Sequence, residues 1–213
     1  MRIWFIAVVI TAGAMAITSP AFASDILSFD LIVGLNGDTP PTGPAPWLQA
    51  IFTNVAGGVE LTLANLLPCG TEFARLWMFN LDPALDPLQL DFSIVSGTQT
   101  NAVVLRGEDA FRAAGGDYFD ILFAWPTANS QDRFTGGEAV TYLITSSQPI
   151  TATSFDYLST PGGGHGPCLT VAKVQGGDPD DGGGWITVPE PTSLCLFGLL
   201  LAVTARRQSP HQP

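Results

Sequence analysis

Regular alternation of apolar and polar positions is the main pattern in the central part of the chain. It is clear in residues 59–63 (Val-Glu-Leu-Thr-Leu) and 88–94, and nearly regular in 140–144. A period of two places successive side chains on opposite faces of a β-strand, so these stretches predict half-buried strands. Apolar segments rich in β-branched and aromatic residues predict further strands at 26–33, 47–54, 74–80, 118–124 and 151–158.

Glycine, proline and aspartate separate these stretches, as in Asn36-Gly37-Asp38 and Asp82-Pro83. Many short strands between such turns predict an all-β fold, an antiparallel β-sandwich of jelly-roll type in a single domain. The one helical prospect is 108–114, a turn or two that ends at Gly115.

The N-terminus has the pattern of a secretory signal peptide. Arg2 precedes an apolar run, and Ala21 and Ala23 occupy the −3 and −1 positions of a cleavage site. The alternatives are a transmembrane anchor or a buried helix. We expect the secretion machinery to export the chain and the mature protein to start at Ser24.

The C-terminus carries a second signal, in which Val188-Pro189-Glu190-Pro191 is followed by an apolar run over 192–205 and then by Arg206-Arg207. As a helix this run is roughly 21 Å long, short of the ~30 Å hydrocarbon core of a bilayer. We therefore expect transient membrane insertion, with the arginine pair on the cytoplasmic side.

This tail resembles the PEP-CTERM sorting signal of Gram-negative bacteria, whose Pro-Glu-Pro motif is recognised by the membrane enzyme exosortase, which removes the tail. The segments 46–48, 79–87, 133–138 and 163–167 of the body also resemble segments of PEP-CTERM proteins, and this second resemblance implies no activity. The resemblance implies an inner-membrane intermediate, then display at the cell surface or release, in species that make extracellular polysaccharide. An ordinary single-pass tail is the alternative.

These signals divide the chain into five segments. They are a signal peptide (1–23), a β domain (24–175), a Gly/Asp-rich linker (176–187), the sorting signal (188–207) and a cytoplasmic tail (208–213). The chain holds 8 Lys and Arg against 19 Asp and Glu, a formal charge of −11. Nucleic acid is thereby excluded as a partner, because phosphate binding needs clustered basic residues.

Four aspartates are candidate metal ligands. Asp82 and Asp86 each precede a proline, and Asp117 and Asp120 follow a Gly-Gly turn. Turns rich in oxygen can hold Ca²⁺, although no cofactor is otherwise implied. The alternative is that these carboxylates cap turns ahead of strands. A carboxylate pair set across a cleft can also hydrolyse glycosides.

Two cysteines, one histidine and one tryptophan complete the candidates. Cys69 and Cys168 can form a disulfide in an oxidising envelope, worth about 4–5 kcal/mol by chain entropy; the alternative is two separate thiols. His165 is interpreted as a residue of a glycine-rich loop. Trp47 follows the proline-rich segment 39–46. An exposed Trp47 can stack on a sugar ring, whereas ordinary packing would bury it.

The sequence therefore predicts an exported, non-catalytic protein of the cell surface or extracellular matrix, associated with extracellular polysaccharide or biofilm. A carbohydrate-binding or Ca²⁺-stabilised adhesion module is the second hypothesis. An envelope glycoside hydrolase is the third.

Overall fold

A computed structural model describes residues 26–70, 72–98, 101–113, 116–163, 167–176 and 183–189. Its strands are β1 (Ile26–Leu31), β2 (Val33–Gly34), β3 (Leu48–Val55), β4 (Gly58–Asn65), β5 (Phe73–Phe79), β6 (Leu90–Gly97), β7 (Val103–Arg112), β8 (Tyr118–Ala124), β9 (Phe134–Thr135), β10 (Ala139–Ser146), β11 (Thr170–Gln175) and β12 (Trp185–Thr187). The remaining regular elements there are four 3₁₀ turns, Leu35–Gly37, Pro87–Gln89, Ser130–Asp132 and Ala152–Phe155.

The strands form two sheets. The first has the order β1-β3-β4-β10-β6, and the second has the order β2-β12-β11-β5-β8-β7, with β9 also paired to β5. All of the strand pairs are antiparallel. The prediction of an all-β fold with antiparallel strands is confirmed.

The alternating pattern explains how the sheets pack. Val59, Leu61 and Leu63 of β4 are buried, whereas the residues between them are partly exposed. Rings from the two sheets meet in one core, as in the edge-on contact between Phe52 of β3 and Phe79 of β5, with centroids 5.4 Å apart. Each sheet thus turns its apolar face towards the other, as in a β-sandwich.

The predicted helix at 108–114 is wrong, because most of that segment belongs to β7. Arg106 pairs with Ile121 of β8 and Phe111 pairs with Phe119, so extra residues on β7 are accommodated in a bulge. Asp109 lies at the bulge with a φ of 48°. The charged residues of the bulge have the pattern of a short helix in the sequence. In the structure, the residues on either side of the bulge pair with β8.

The predicted strand at 151–158 is also wrong. The 3₁₀ turn Ala152–Phe155 replaces it, and the Thr151 N–H donates to Ser154 Oγ at 3.1 Å. This local hydrogen bond competes with sheet pairing. The turn directs Phe155 into the core, where its ring stacks on Phe52 with centroids 4.5 Å apart.

The predicted linker 176–187 ends in a strand, which corrects the domain boundary. β12 pairs with both β11 and β2. Ile186 is fully buried, and Val188, which follows the strand, belongs to the main core. The folded domain therefore extends through Val188. Residues 177–182 of the linker lie outside the described residues.

Both end signals fall largely outside the described residues. The signal peptide with Ala21 and Ala23 does so, as do Glu190, Pro191 and the arginine pair Arg206-Arg207. Within the described ranges, no helix is long and apolar enough to cross a bilayer.

Tyr142 of β10 gives a testable prediction about the core. Its hydroxyl is buried without a hydrogen-bond partner, and burial raises its pKa from 10.0 to about 12. Because an unpaired buried hydroxyl is unfavourable, Tyr142→Phe should raise the free energy of unfolding by about 1 kcal/mol at pH 8 in urea denaturation.

The same substitution should also change the alkaline stability. The unfolded state ionises this phenol near pH 10 and the folded state near pH 12, so the wild type loses stability as the pH rises through that window. Tyr142→Phe should lose less stability between pH 10 and 12. Equal alkaline losses in the two proteins would contradict the burial of this hydroxyl.

Candidate functional site

A surface cleft of about 410 Å³ opens where the end of β5 meets the bulge of β7. We call it the acidic cleft because five carboxylates line it: Asp82, Asp86, Glu108, Asp109 and Asp120. Three of the four aspartates predicted as metal ligands therefore lie around one cavity. Glu108 and Asp109 were not predicted, although Gly107 before them is a sequence signal for a bulge.

Asp82 and Asp86 cap turns on the first wall of the cleft. Asp82 Oδ1 accepts the Ala84 N–H at 2.9 Å, and Asp86 Oδ1 accepts the Leu88 N–H at 2.9 Å. Asp86 thereby caps the 3₁₀ turn that starts at Pro87. These contacts confirm the turn-capping interpretation of both residues.

Tyr157 lines the same wall of the cleft, and the sequence did not identify it as a residue of the site. Its hydroxyl donates to Asp82 Oδ2 at 2.8 Å. This hydrogen bond raises the pKa of Tyr157 above its usual value, with smaller contributions from desolvation and from the charges of Asp82 and Asp156. The phenol therefore remains protonated at neutral pH and holds one oxygen of Asp82.

Asp120 of β8 joins the two walls of the cleft. Its Oδ2 accepts the Leu81 N–H at 3.0 Å, and its Oδ1 accepts the Asp109 N–H at 2.9 Å. One carboxylate therefore ties the segment after β5 to the bulge of β7. It positions Glu108 and Asp109, whose side chains are exposed at the cleft rim.

Asp117 lies outside the acidic cleft. It is buried beside the loop at Gly162, whose N–H lies 3.5 Å from Asp117 Oδ1. Asp117 and Asp120 follow one turn in the sequence but have different surroundings, because Asp117 precedes β8 and is buried, whereas Asp120 belongs to β8 and lines the cleft. In the described part of the chain, no three His, Cys, Asp or Glu side chains are arranged to hold a metal ion.

Trp47 is not available for stacking on a sugar, which corrects the predicted glycan contact. It is 7 % exposed and belongs to the main core. Its Nε1–H donates to the carbonyl oxygen of Gly43 at 3.2 Å. The proline-rich segment thus contacts the ring of Trp47. The alternative that ordinary packing buries this residue is confirmed.

Cys69 and Cys168 do not form the predicted disulfide. Cys69 is exposed, with its Sγ 3.9 Å from the carbonyl oxygen of Gly136, whereas Cys168 is buried. Cys69 precedes β5, and Cys168 lies two residues before Thr170, which pairs with Phe79 at the far end of β5. A strand of this length holds the two thiols on the order of 20 Å apart, beyond the reach of a disulfide. His165 lies outside the described residues.

The first residues of the predicted sorting motif are part of the folded domain. Val188 is buried and Pro189 is half-buried, directly after β12. Thr187 Oγ1 donates to the carbonyl oxygen of Thr170 at 2.7 Å. The motif therefore leaves the domain from an inner strand of the second sheet.

Comparison with known proteins identifies this C-terminal region. Residues 187–208 match the family model described as the PEP-CTERM protein-sorting motif. No curated protein and no solved structure matches the chain.

Proposed function

Because residues 187–208 match that motif, the chain is a PEP-CTERM domain-containing protein, and we propose that its β domain is a non-catalytic component of the cell surface or extracellular matrix. The motif indicates export, sorting to the cell surface through the membrane, and processing by exosortase. In the proposal, the short apolar run 192–205 inserts only transiently, and the mature domain carries out its role outside the cell.

The observation that carries the non-catalytic proposal is the hydrogen bonding of three of the five carboxylates that line the cleft. Asp82, Asp86 and Asp120 each accept hydrogen bonds from the surrounding chain through both oxygens. A glycosidase needs one carboxyl that delivers a proton and another that attacks or activates water. Carboxylates that hold turns and loops in place are poorly suited to either role, which favours a structural function.

Association with extracellular polysaccharide is the second part of the proposal, and the acidic cleft is the surface we assign to it. Carboxylate oxygens can accept hydrogen bonds from sugar hydroxyls, and the side-chain amide of Gln148 can both accept and donate them. Leu158 is an exposed apolar side chain on the same cleft, suited to the C–H face of a sugar. The cleft takes the place of Trp47 in this hypothesis.

The test is cosedimentation of the processed protein with the producer's own extracellular polysaccharide, combined with an assay for newly formed reducing ends. We expect binding without release of reducing ends. Asp82→Asn should weaken binding by about tenfold, since it disturbs the Asp82–Tyr157 contact; tenfold corresponds to about 1.4 kcal/mol.

Asp91→Asn is the matched control, because it removes the same charge from an exposed side chain on β6, outside the cleft. It should bind as the wild type does. Equal binding by Asp82→Asn would exclude the cleft as the contact surface. Release of reducing ends would favour the hydrolase instead.

A further inference from the structure

The sorting motif begins inside the fold. The match to the motif starts at residue 187, and Thr187 is the last residue of β12. Thr187 is 4 % exposed and Val188 is 8 % exposed. The chain therefore passes from the domain core into the Pro-Glu-Pro element with no spacer between them.

β12 is held on both sides, between β2 and β11. The Ile32 N–H donates to the carbonyl oxygen of Thr187 at 3.1 Å, and Thr187 Oγ1 donates to the carbonyl oxygen of Thr170 at 2.7 Å. At the other end of the strand, the Trp185 N–H donates to Asp38 Oδ2 at 2.8 Å. Because both edges are paired, the docked strand offers no edge to the binding cleft of a processing enzyme.

The short distance between the folded domain and the apolar run also limits access to the sorting motif. Only Pro189, Glu190 and Pro191 separate Val188 from the apolar run that starts at Thr192. Three residues span at most about 10 Å. A domain of this size has a radius of gyration of about 15 Å. With the apolar run in the membrane, the folded domain lies directly over the peptide that a membrane enzyme must enclose.

We propose that docking of β12 opposes removal of the sorting tail, so that exosortase acts on the state in which β12 is out of the sheet. This inference rests on the proposed processing of the tail in the membrane. β12 is an autoinhibitory strand before cleavage and the last strand of the mature domain after cleavage. The order in which the domain folds and the tail is removed thus controls how fast the protein leaves the membrane.

The test is a pulse–chase measurement of tail removal for the full chain in its native producer. A spacer variant carries a Gly/Ser hexapeptide after Val188, followed by a second Thr-Val pair, so that both the docked strand and the complete motif are preserved. It should lose its tail about tenfold faster than the wild type, the change that about 1.4 kcal/mol of docking free energy produces.

A locked variant gives the opposite change. Ala172 and Ile186 are opposite each other on β11 and β12, at the Cα separation of ~4.5–5.5 Å that a disulfide accepts. Ala172→Cys with Ile186→Cys should slow tail removal by about tenfold, and a reductant should restore the rate. The single Ile186→Cys variant controls for the altered side chain.

The outcomes separate this inference from the proposed function. Equal rates in the wild type, spacer and locked proteins would overturn the inference while exosortase processing stands. Retention of the tail in the wild type with its removal from the spacer variant would support strong inhibition by β12. Retention of the tail in both would overturn the inference and the proposed processing together.

Discussion

Replacing Phe79 with alanine should lower the free energy of unfolding by about 3–5 kcal/mol, the usual cost of deleting a large buried ring. Phe79 is fully buried and contacts rings from both sheets. Its centroid lies 5.4 Å from that of Phe52, 6.4 Å from that of Phe29 and 6.0 Å from that of Phe123. The substitution would leave a cavity at the centre of the sandwich, between the two sheets.

Urea denaturation followed by tryptophan fluorescence measures this change. Leu88→Ala is the control, because Leu88 is 63 % exposed and its loss should change the free energy of unfolding by less than about 0.5 kcal/mol. If Phe79→Ala cost less than about 1 kcal/mol, the face-to-face packing of the two sheets would be contradicted.

Asp120→Asn should have the second largest effect, lowering the free energy of unfolding by about 1.5–3 kcal/mol. Both carboxylate oxygens of Asp120 accept backbone N–H groups, from Leu81 and Asp109. In asparagine one oxygen becomes an amide nitrogen, which cannot accept a hydrogen bond, so one of these N–H groups loses its partner. Faster amide hydrogen exchange at Leu81 or Asp109 should accompany the loss of stability.

Asp91→Asn provides the comparison at an exposed site. The Asp91 side chain is 82 % exposed, and an ion pair joins it to Arg106 at 3.4 Å. Such surface pairs contribute about 0–1 kcal/mol, so the stability should hardly change. Similar losses in Asp120→Asn and Asp91→Asn would show that Asp120 does not join the walls of the acidic cleft.

Strands whose burial alternates along the chain were predicted well from the sequence. The predicted strand at 118–124 coincides with β8, and the predicted strand at 59–63 lies within β4. The alternation that defines such strands is a local property, because side-chain direction follows the backbone period of two. The sequence analysis did not predict β11 or β12. In the case of β12, the strand has only three residues, and its neighbours β2 and β11 bury it.

Part of the acidic cleft could also be predicted. Asp82 and Asp86 stand out beside prolines, and their turn-capping contacts are local, two residues along the chain. Asp120 and Tyr157 could not be placed there from the sequence. Their contacts with Leu81 and Asp82 join positions 39 and 75 residues apart, and strand pairing and loop packing bring these positions together.

The features that depend on neighbouring residues could therefore be predicted from the sequence. They are the alternating strands, the turns between them, and the sorting motif, which is defined by the order of its residues. The burial of Trp47, the separation of Cys69 from Cys168 and the docking of β12 depended on the three-dimensional fold. Each follows from which strands become neighbours. Strand pairing is set by the burial of the whole set of apolar faces in one core, and short segments carry little information about it.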